Sequence, residues 1–293
     1  MRTHQLIIGI LLCCYTSFGQ TSYSGNIDKY PIDLIIDINS DGNATGIYVY
    51  SNFDDPIQLD GKLAKGRLTL YEKNSLKKTA ATFTFNGYQG EHKTAEGTWK
   101  NLKTGKELKI SLTKNFTIEG EEGDWKDREI LQPVSLKNEY FKLLLSKSKE
   151  DAVPRVSGIK IIEKKTDRLI QRLDLDCEFR DLNTVSLADY NFDGFTDFSV
   201  FESGYAGANT SSMYFLYDPA AKLFFNSGFT GVSLSFDAKT KTITEHNQCC
   251  AGRQQTTSIY KLVKNKMVLI KQHCYLWDKK KKDFTERKMK DCE

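Results

Sequence analysis

After its first 19 residues this 293-residue chain has no run approaching the ~18 apolar residues that cross a bilayer as a helix, so no membrane-spanning segment is expected. It has no large excess of either charge. The 42 Lys+Arg stand against 38 Asp+Glu, too even a balance to build the field that nucleic acid requires. G-x-S-x-G, H-E-x-x-H, P-loop and G-x-G-x-x-G signatures are all missing, so no catalytic residue is assigned and no enzymatic activity is expected. No repeat of fixed period occurs, which argues against a propeller or solenoid. Long stretches of 3.6-residue periodicity are also missing, so few or no helices are expected.

The first feature that is present is an export signal. Met1–Gly19 opens with Arg2, runs through apolar Leu6–Cys14 and ends in Ser17-Phe18-Gly19, the pattern of a secretory signal peptide. Cleavage near Gly19 leaves about 274 residues with net charge about +3, and five cysteines: Cys177, Cys249, Cys250, Cys274 and Cys292. Cys13 follows an apolar run, as a lipid-modified cysteine does, but Leu12 stands where a lipobox needs a small residue. Release to the periplasm or beyond is therefore the expectation. Hydrophobic content of 39%, with 17 Phe and 14 Tyr, is too rich for disorder, and the length suits two modest domains.

Both halves are expected to be all-β. In the first, residues 20–118, Pro31–Ile38 leads through an Asn/Gly turn into Gly46–Tyr50. Further strands are expected at Gly66–Tyr71, Ala80–Phe85, Glu96–Lys100 and Leu108–Leu112. Their period-two alternation and short spacing predict a small antiparallel meander, closed or nearly closed into a barrel. Residues 119–135 are charged and Gly-containing, the best candidate linker, although Trp125 argues for packing there. In the second half, residues 136–293, Ile159–Ile162 and Leu169–Leu173 predict a hairpin. Strands recur at Thr184–Leu187, Phe195–Phe201, Met213–Tyr217, Val232–Phe236, Thr242–Glu245, Thr256–Leu262, Met267–Gln272 and Phe284–Lys288.

The sharpest motif is Asp189-Tyr190-Asn191-Phe192-Asp193-Gly194-Phe195-Thr196-Asp197. Oxygen side chains occupy loop positions 1, 3, 5 and 9, and Gly194 stands at position 6, where the backbone must turn sharply. Asp189, Asn191, Asp193, the Phe195 carbonyl and Asp197 form a donor set for Ca²⁺. Val200 replaces the bidentate Glu of an EF-hand, and a strand follows in place of a helix. Asp37-Ile38-Asn39-Ser40-Asp41-Gly42 copies half the motif but reads as a hairpin turn. Just past the calcium loop, Ser203, Gly204, Tyr205 and Asn209 lie in a small-residue loop with one large amphipathic anchor, a composition suited to a partner's cleft.

These residues, followed by Met213–Asp218 and Phe224-Phe225, resemble a family of secreted bacterial β proteins over about Leu136–Trp277. The family includes calcium-binding periplasmic immunity proteins that inhibit peptidoglycan hydrolases, similar in fold to periplasmic invertebrate-type lysozyme inhibitors. The resemblance implies that Ser203, Gly204 and Tyr205 enter the cleft of a lysozyme-like hydrolase. Such loops read S-G-x-x-Y, whereas here Tyr205 follows Gly204 directly. The alternative is a module that binds envelope glycan or protein without inhibiting it.

Two other clusters stand out. His246, Cys249, Cys250, His273 and Cys274 fall at the ends of an expected hairpin, a set open to zinc or, in an oxidising compartment, to a disulfide from Cys249 or Cys250 to Cys274. Five cysteines leave one unpaired, and sequence does not fix the connectivity. Lys279–Lys282 reads as a solvated hairpin tip or a cationic patch for acidic partners.

Overall fold

The computed structural model describes residues 19–51, 55–118 and 123–292. The expected signal peptide, apart from Gly19, lies outside the described residues. Among them the fold is all-β, with antiparallel strands throughout and a single 3₁₀ turn at Met289–Asp291. No helix is long and apolar enough to cross a membrane.

Eight strands close a barrel in sequence order: β1 (Thr21–Ile27), β2 (Tyr30–Ile38), β3 (Asn43–Tyr50), β4 (Ile57–Ala64), β5 (Arg67–Lys73), β6 (Thr79–Asn86), β7 (Thr94–Asn101) and β8 (Glu107–Thr117). Closure runs from β1 to β8, with Thr21 opposite Thr117 and Ile27 opposite Ile110. Ile27, Leu68, Leu70, Phe83 and Ile110 are fully buried, and in β5, β6 and β8 the alternation of such residues with more exposed neighbours is what placed the strands in the sequence. β1 and β4 were not anticipated. In β4, Gly61 reads as a turn residue but lies inside the strand, because a Cβ there would stand 2.0 Å from the Thr69 carbonyl oxygen of β5. Glycine is needed for close approach of two backbones, not for a turn. Asp37 and Ile38 end β2, and residues 39–42 form the β2–β3 turn, as expected, with Gly42 at φ +82°.

The described residues form two compact units. The first takes in 19–29, Ile35–Gly46 and 58–118, and the second Tyr30–Leu34, 47–51, 55–57 and 123–292. Beyond the barrel the second unit holds three antiparallel sheets. The first orders β12 (Leu169–Glu178), β11 (Arg155–Glu163), β10 (Glu139–Lys147) and β9 (Trp125–Ser135). Much of the expected linker is thus a strand: Trp125 opens β9, is buried, and carries the Arg128 guanidinium 4.4 Å from its ring centroid. Its polar neighbours resembled a linker because β9 is an edge strand with one solvated flank.

The next sheet orders β13 (Val185–Ala188), β14 (Asp197–Gly204), β15 (Thr210–Asp218) and β16 (Leu223–Asn226), and the last orders β17 (Ser235–Asp237), β18 (Thr242–Cys249), β19 (Gln254–Val263), β20 (Lys266–Asp278) and β21 (Asp283–Arg287). Aromatic side chains join them. Phe198 stacks on Phe215 at 4.8 Å and meets Phe141 of β10 at 5.2 Å. Tyr190, Tyr214, Leu216, Phe229 and Ile243 form a second core, with Phe236 packed against it.

Candidate functional site

The candidate metal loop, residues 189–197, joins β13 to β14. Gly194 at φ +93° and Phe192 at φ +63° make the sharp turn, and Gly194 has open space where a Cβ would project. Phe192 accepts this conformation, unfavourable for a bulky residue, while its ring packs against Phe236.

Each carboxylate of the loop accepts backbone N–H groups. Asp189 takes those of Asp193 (3.0 Å) and Gly194 (2.9 Å). Asp193 takes that of Phe195 (2.9 Å) and the side-chain amide of Asn191 (2.7 Å). Asp197 is fully buried; one of its oxygens accepts from Tyr190 N–H (2.8 Å) and the other from Tyr217 N–H (2.9 Å). Burial pushes the Asp197 pKa up, those two hydrogen bonds oppose the rise, and the charges of Asp193 and Asp189 add to it. Among the described residues no three His, Cys, Asp or Glu side chains converge into a metal cage.

The donor chemistry nevertheless suits a hard cation. Carboxylate, amide and carbonyl oxygens alone supply it, and a carboxylate oxygen that accepts one N–H retains lone pairs. A buried carboxylate that resists ionisation beside two others is stabilised by a neighbouring cation.

The Ser203–Asn209 loop lies at the other end of β14. Asp197 begins this 8-residue strand and Gly204 ends it, so the two loops stand roughly 23 Å apart at 3.3 Å per residue. Both ends also touch β15, through Tyr217 N–H to Asp197 and the pairing of Gly204 with Thr210.

Ser203 and Gly204 are held by Glu178, the last residue of β12. Ser203 Oγ donates to one carboxylate oxygen at 2.8 Å and Gly204 N–H donates to the other at 3.0 Å. The Gly204 amide, then Ser203, holds the Glu178 pKa below the ordinary value, with burial slightly opposing. Sequence reading missed Glu178, which lies 25 residues from Ser203; the approach of β12, the edge of one sheet, to β14 of the next brings it there.

Tyr205 is 51% exposed, with its hydroxyl 3.2 Å from Ser211 Oγ and its N–H donating to the Asn209 carbonyl at 2.9 Å. Asn209 is turned inward. Its side-chain nitrogen donates to Asn247 Oδ1 (3.0 Å) and the Gln248 carbonyl (2.7 Å), and its oxygen accepts Gln248 N–H (3.0 Å). Asn209 therefore anchors the loop, while Tyr205 and the Ala206–Ala208 tip are presented to solvent.

The expected bridge from Cys249 or Cys250 to Cys274 is not the one formed; Cys274 is bonded to Cys292. Cys249 is paired with Gln254 of β19, and β19 separates β18 from β20. Two strand spacings place β18 and β20 roughly 9–10 Å apart, beyond the ~7 Å Cα separation that a disulfide tolerates. Cys292 returns past the end of β21 to reach Cys274, whose neighbour on β21 is Arg287. Of the remaining zinc candidates, His273 Nδ1 faces Glu286 at 2.5 Å and His246 Nδ1 faces Thr257 Oγ1 at 3.4 Å.

Lys279–Lys282 forms the β20–β21 tip, where Asp278 accepts the N–H groups of Lys280 and Lys281.

No protein-family model matches this chain, and no curated protein matches it significantly. Among solved structures the chain is similar to a Xanthomonas type IV secretion system related protein, at 12% identity, over 92% of this chain and 99% of that one. The TM-score of 0.28 is too low to carry an argument about fold or function.

Proposed function

We propose that this is an exported Ca²⁺-binding recognition protein that inhibits a lysozyme-like peptidoglycan hydrolase through the Ser203–Asn209 loop. The observation that supports the reading is the two-ended use of β14. Asp197 anchors one end into the core through Tyr190 and Tyr217, and at the other end Glu178 and Asn209 pin the loop that exposes Tyr205. A preformed loop avoids most of the ordering cost of binding, and an exposed Tyr on such a loop suits a hot-spot anchor.

Asp189, Asn191, Asp193, Asp197 and the Phe195 carbonyl would hold the Ca²⁺. The ion would supply charge compensation to the three carboxylates and fix the start of β14. Export accords with the observed disulfide.

The test is inhibition of a panel of lysozymes and secreted peptidoglycan hydrolases, with Ca²⁺ and after chelation by EGTA. At least one target is expected to be inhibited. Tyr205→Ala is expected to weaken that inhibition roughly 30-fold, as loss of a ~2 kcal/mol anchor requires. Calorimetric titration with Ca²⁺ is expected to show one site, lost in Asp193→Ala. No inhibition across the panel would sink the reading, and binding to envelope glycan in its place would favour the non-inhibitory alternative.

A further inference from the structure

Cys249 and Cys250 are neighbours in sequence, and both are exposed at the tip of the β18–β19 hairpin. Their Sγ atoms stand 2.6 Å apart, far inside the contact distance of two unbonded sulfurs and near the ~2.05 Å of a covalent bond. The turn that brings them together is strained. Cys250 (φ 60°) and Ala251 (φ 55°) both adopt the left-handed region ahead of Gly252 (φ 75°), a conformation unfavourable for non-glycine residues.

Among the described residues no other thiol competes for either sulfur. Cys274 is consumed by Cys292. Cys177 is fully buried on β12, donates to Met213 Sδ at 3.6 Å, and has its pKa pushed up to about 12, chiefly by burial. The Cys274–Cys292 bond also marks a chain that matures where disulfides persist.

We propose that Cys249 and Cys250 close a disulfide between adjacent residues, a small ring through their shared peptide bond that locks the hairpin tip. Closure is thiol–disulfide exchange with a protein or low-molecular-weight disulfide donor. One thiolate attacks the donor to form a mixed disulfide, and the second then attacks the first sulfur and expels the donor thiolate. The pair loses two protons and two electrons, and the donor disulfide takes both electrons and becomes two thiols. Cys177 is thereby identified as the odd thiol, sealed in the core.

The ring lies one residue from Gln248, whose N–H and carbonyl both bond the Asn209 side chain. It therefore stiffens the strand end on which the Tyr205 loop is anchored. This inference is independent of calcium and of any hydrolase, and its test involves neither.

Cleavage after Lys241 and Arg253 places both cysteines on one tryptic peptide, Thr242–Arg253. The full chain, expressed into an oxidising compartment, is quenched in acid, denatured and alkylated without reduction. The peptide is expected unalkylated and two hydrogens lighter than its dithiol form, taking up two alkyl groups only after reduction. A doubly alkylated peptide without reduction, or a cross-link from either cysteine to Cys177 or to a second chain, would overturn the proposal. In Cys250→Ser, Cys249 is expected to alkylate fully while Cys274–Cys292 stays intact; rearrangement of that bond would count against a self-contained pair. Hydrogen exchange at the Gln248 amide is expected to accelerate severalfold in this variant, and an unchanged rate would overturn the locking role.

Discussion

Single residues hold the Ser203–Asn209 loop, and Glu178 illustrates how. Its carboxylate satisfies Ser203 Oγ and Gly204 N–H together, and those bonds favour the ionised form, so its pKa lies below that of an ordinary glutamate. A carboxylate with a depressed folded pKa contributes its full share of stability above the unfolded value and loses it as pH falls through the lower folded value. The protection factor of the Gly204 amide is therefore expected to drop as pH falls below about 4.5, and Glu178→Gln is expected to remove that dependence. A flat profile in the native protein would contradict the assigned role. Ser203, Gly204 and Tyr205 were legible in the sequence as an adaptable loop with an aromatic anchor. Glu178 was not, since nothing local to it signals a partner 25 residues away.

At the scale of elements, glycine gave the sequence its most misleading signal. Gly61 reads as a strand boundary, yet it sits within β4 opposite Leu70. Gly25 and Gly97 also lie at close approaches, where a Cβ would fall 2.1 Å from Ser111 O and 2.5 Å from Thr84 O. These are points where barrel strands press together, and they leave no room for a methyl group. Gly61→Ala is expected to destabilise the protein by at least about 2 kcal/mol, through overpacking against backbone that cannot yield as a side chain would. A urea midpoint unchanged from wild type would show that β4 and β5 separate easily. The 189–197 loop lies at the opposite extreme. Its spacing was fully readable, because position-specific oxygens and a turn glycine are sequence-local requirements. That Asp197 is also a buried clamp on Tyr190 and Tyr217 was not readable.

On the scale of the whole molecule, the Cys274–Cys292 bond closes the last stretch of chain, with a sequence separation of 18. A loop of this size is worth about 3 kcal/mol in the chain-entropy account. Cys274→Ser with Cys292→Ser is expected to lower stability by up to that amount and to loosen β21 first, which hydrogen exchange along β20 and β21 would register. Equal loosening across the barrel strands would argue that the chain unfolds as one unit.

Period-two alternation, recurrent turns and the lack of helical periodicity were enough to determine an all-β chain with a barrel-forming first half. They also located most strands, because burial of one face of a strand is written directly into alternate residues. The sequence likewise determined the oxygen pattern at 189–197 and the composition of the loop after β14. Only the tertiary structure decided which strand intervenes between which cysteines, that Trp125–Ser135 joins a sheet, and that Glu178 and Asn209 hold the Tyr205 loop. Each of these depends on strand order and register, which are set by contacts between residues far apart in the chain and leave no mark in any local window.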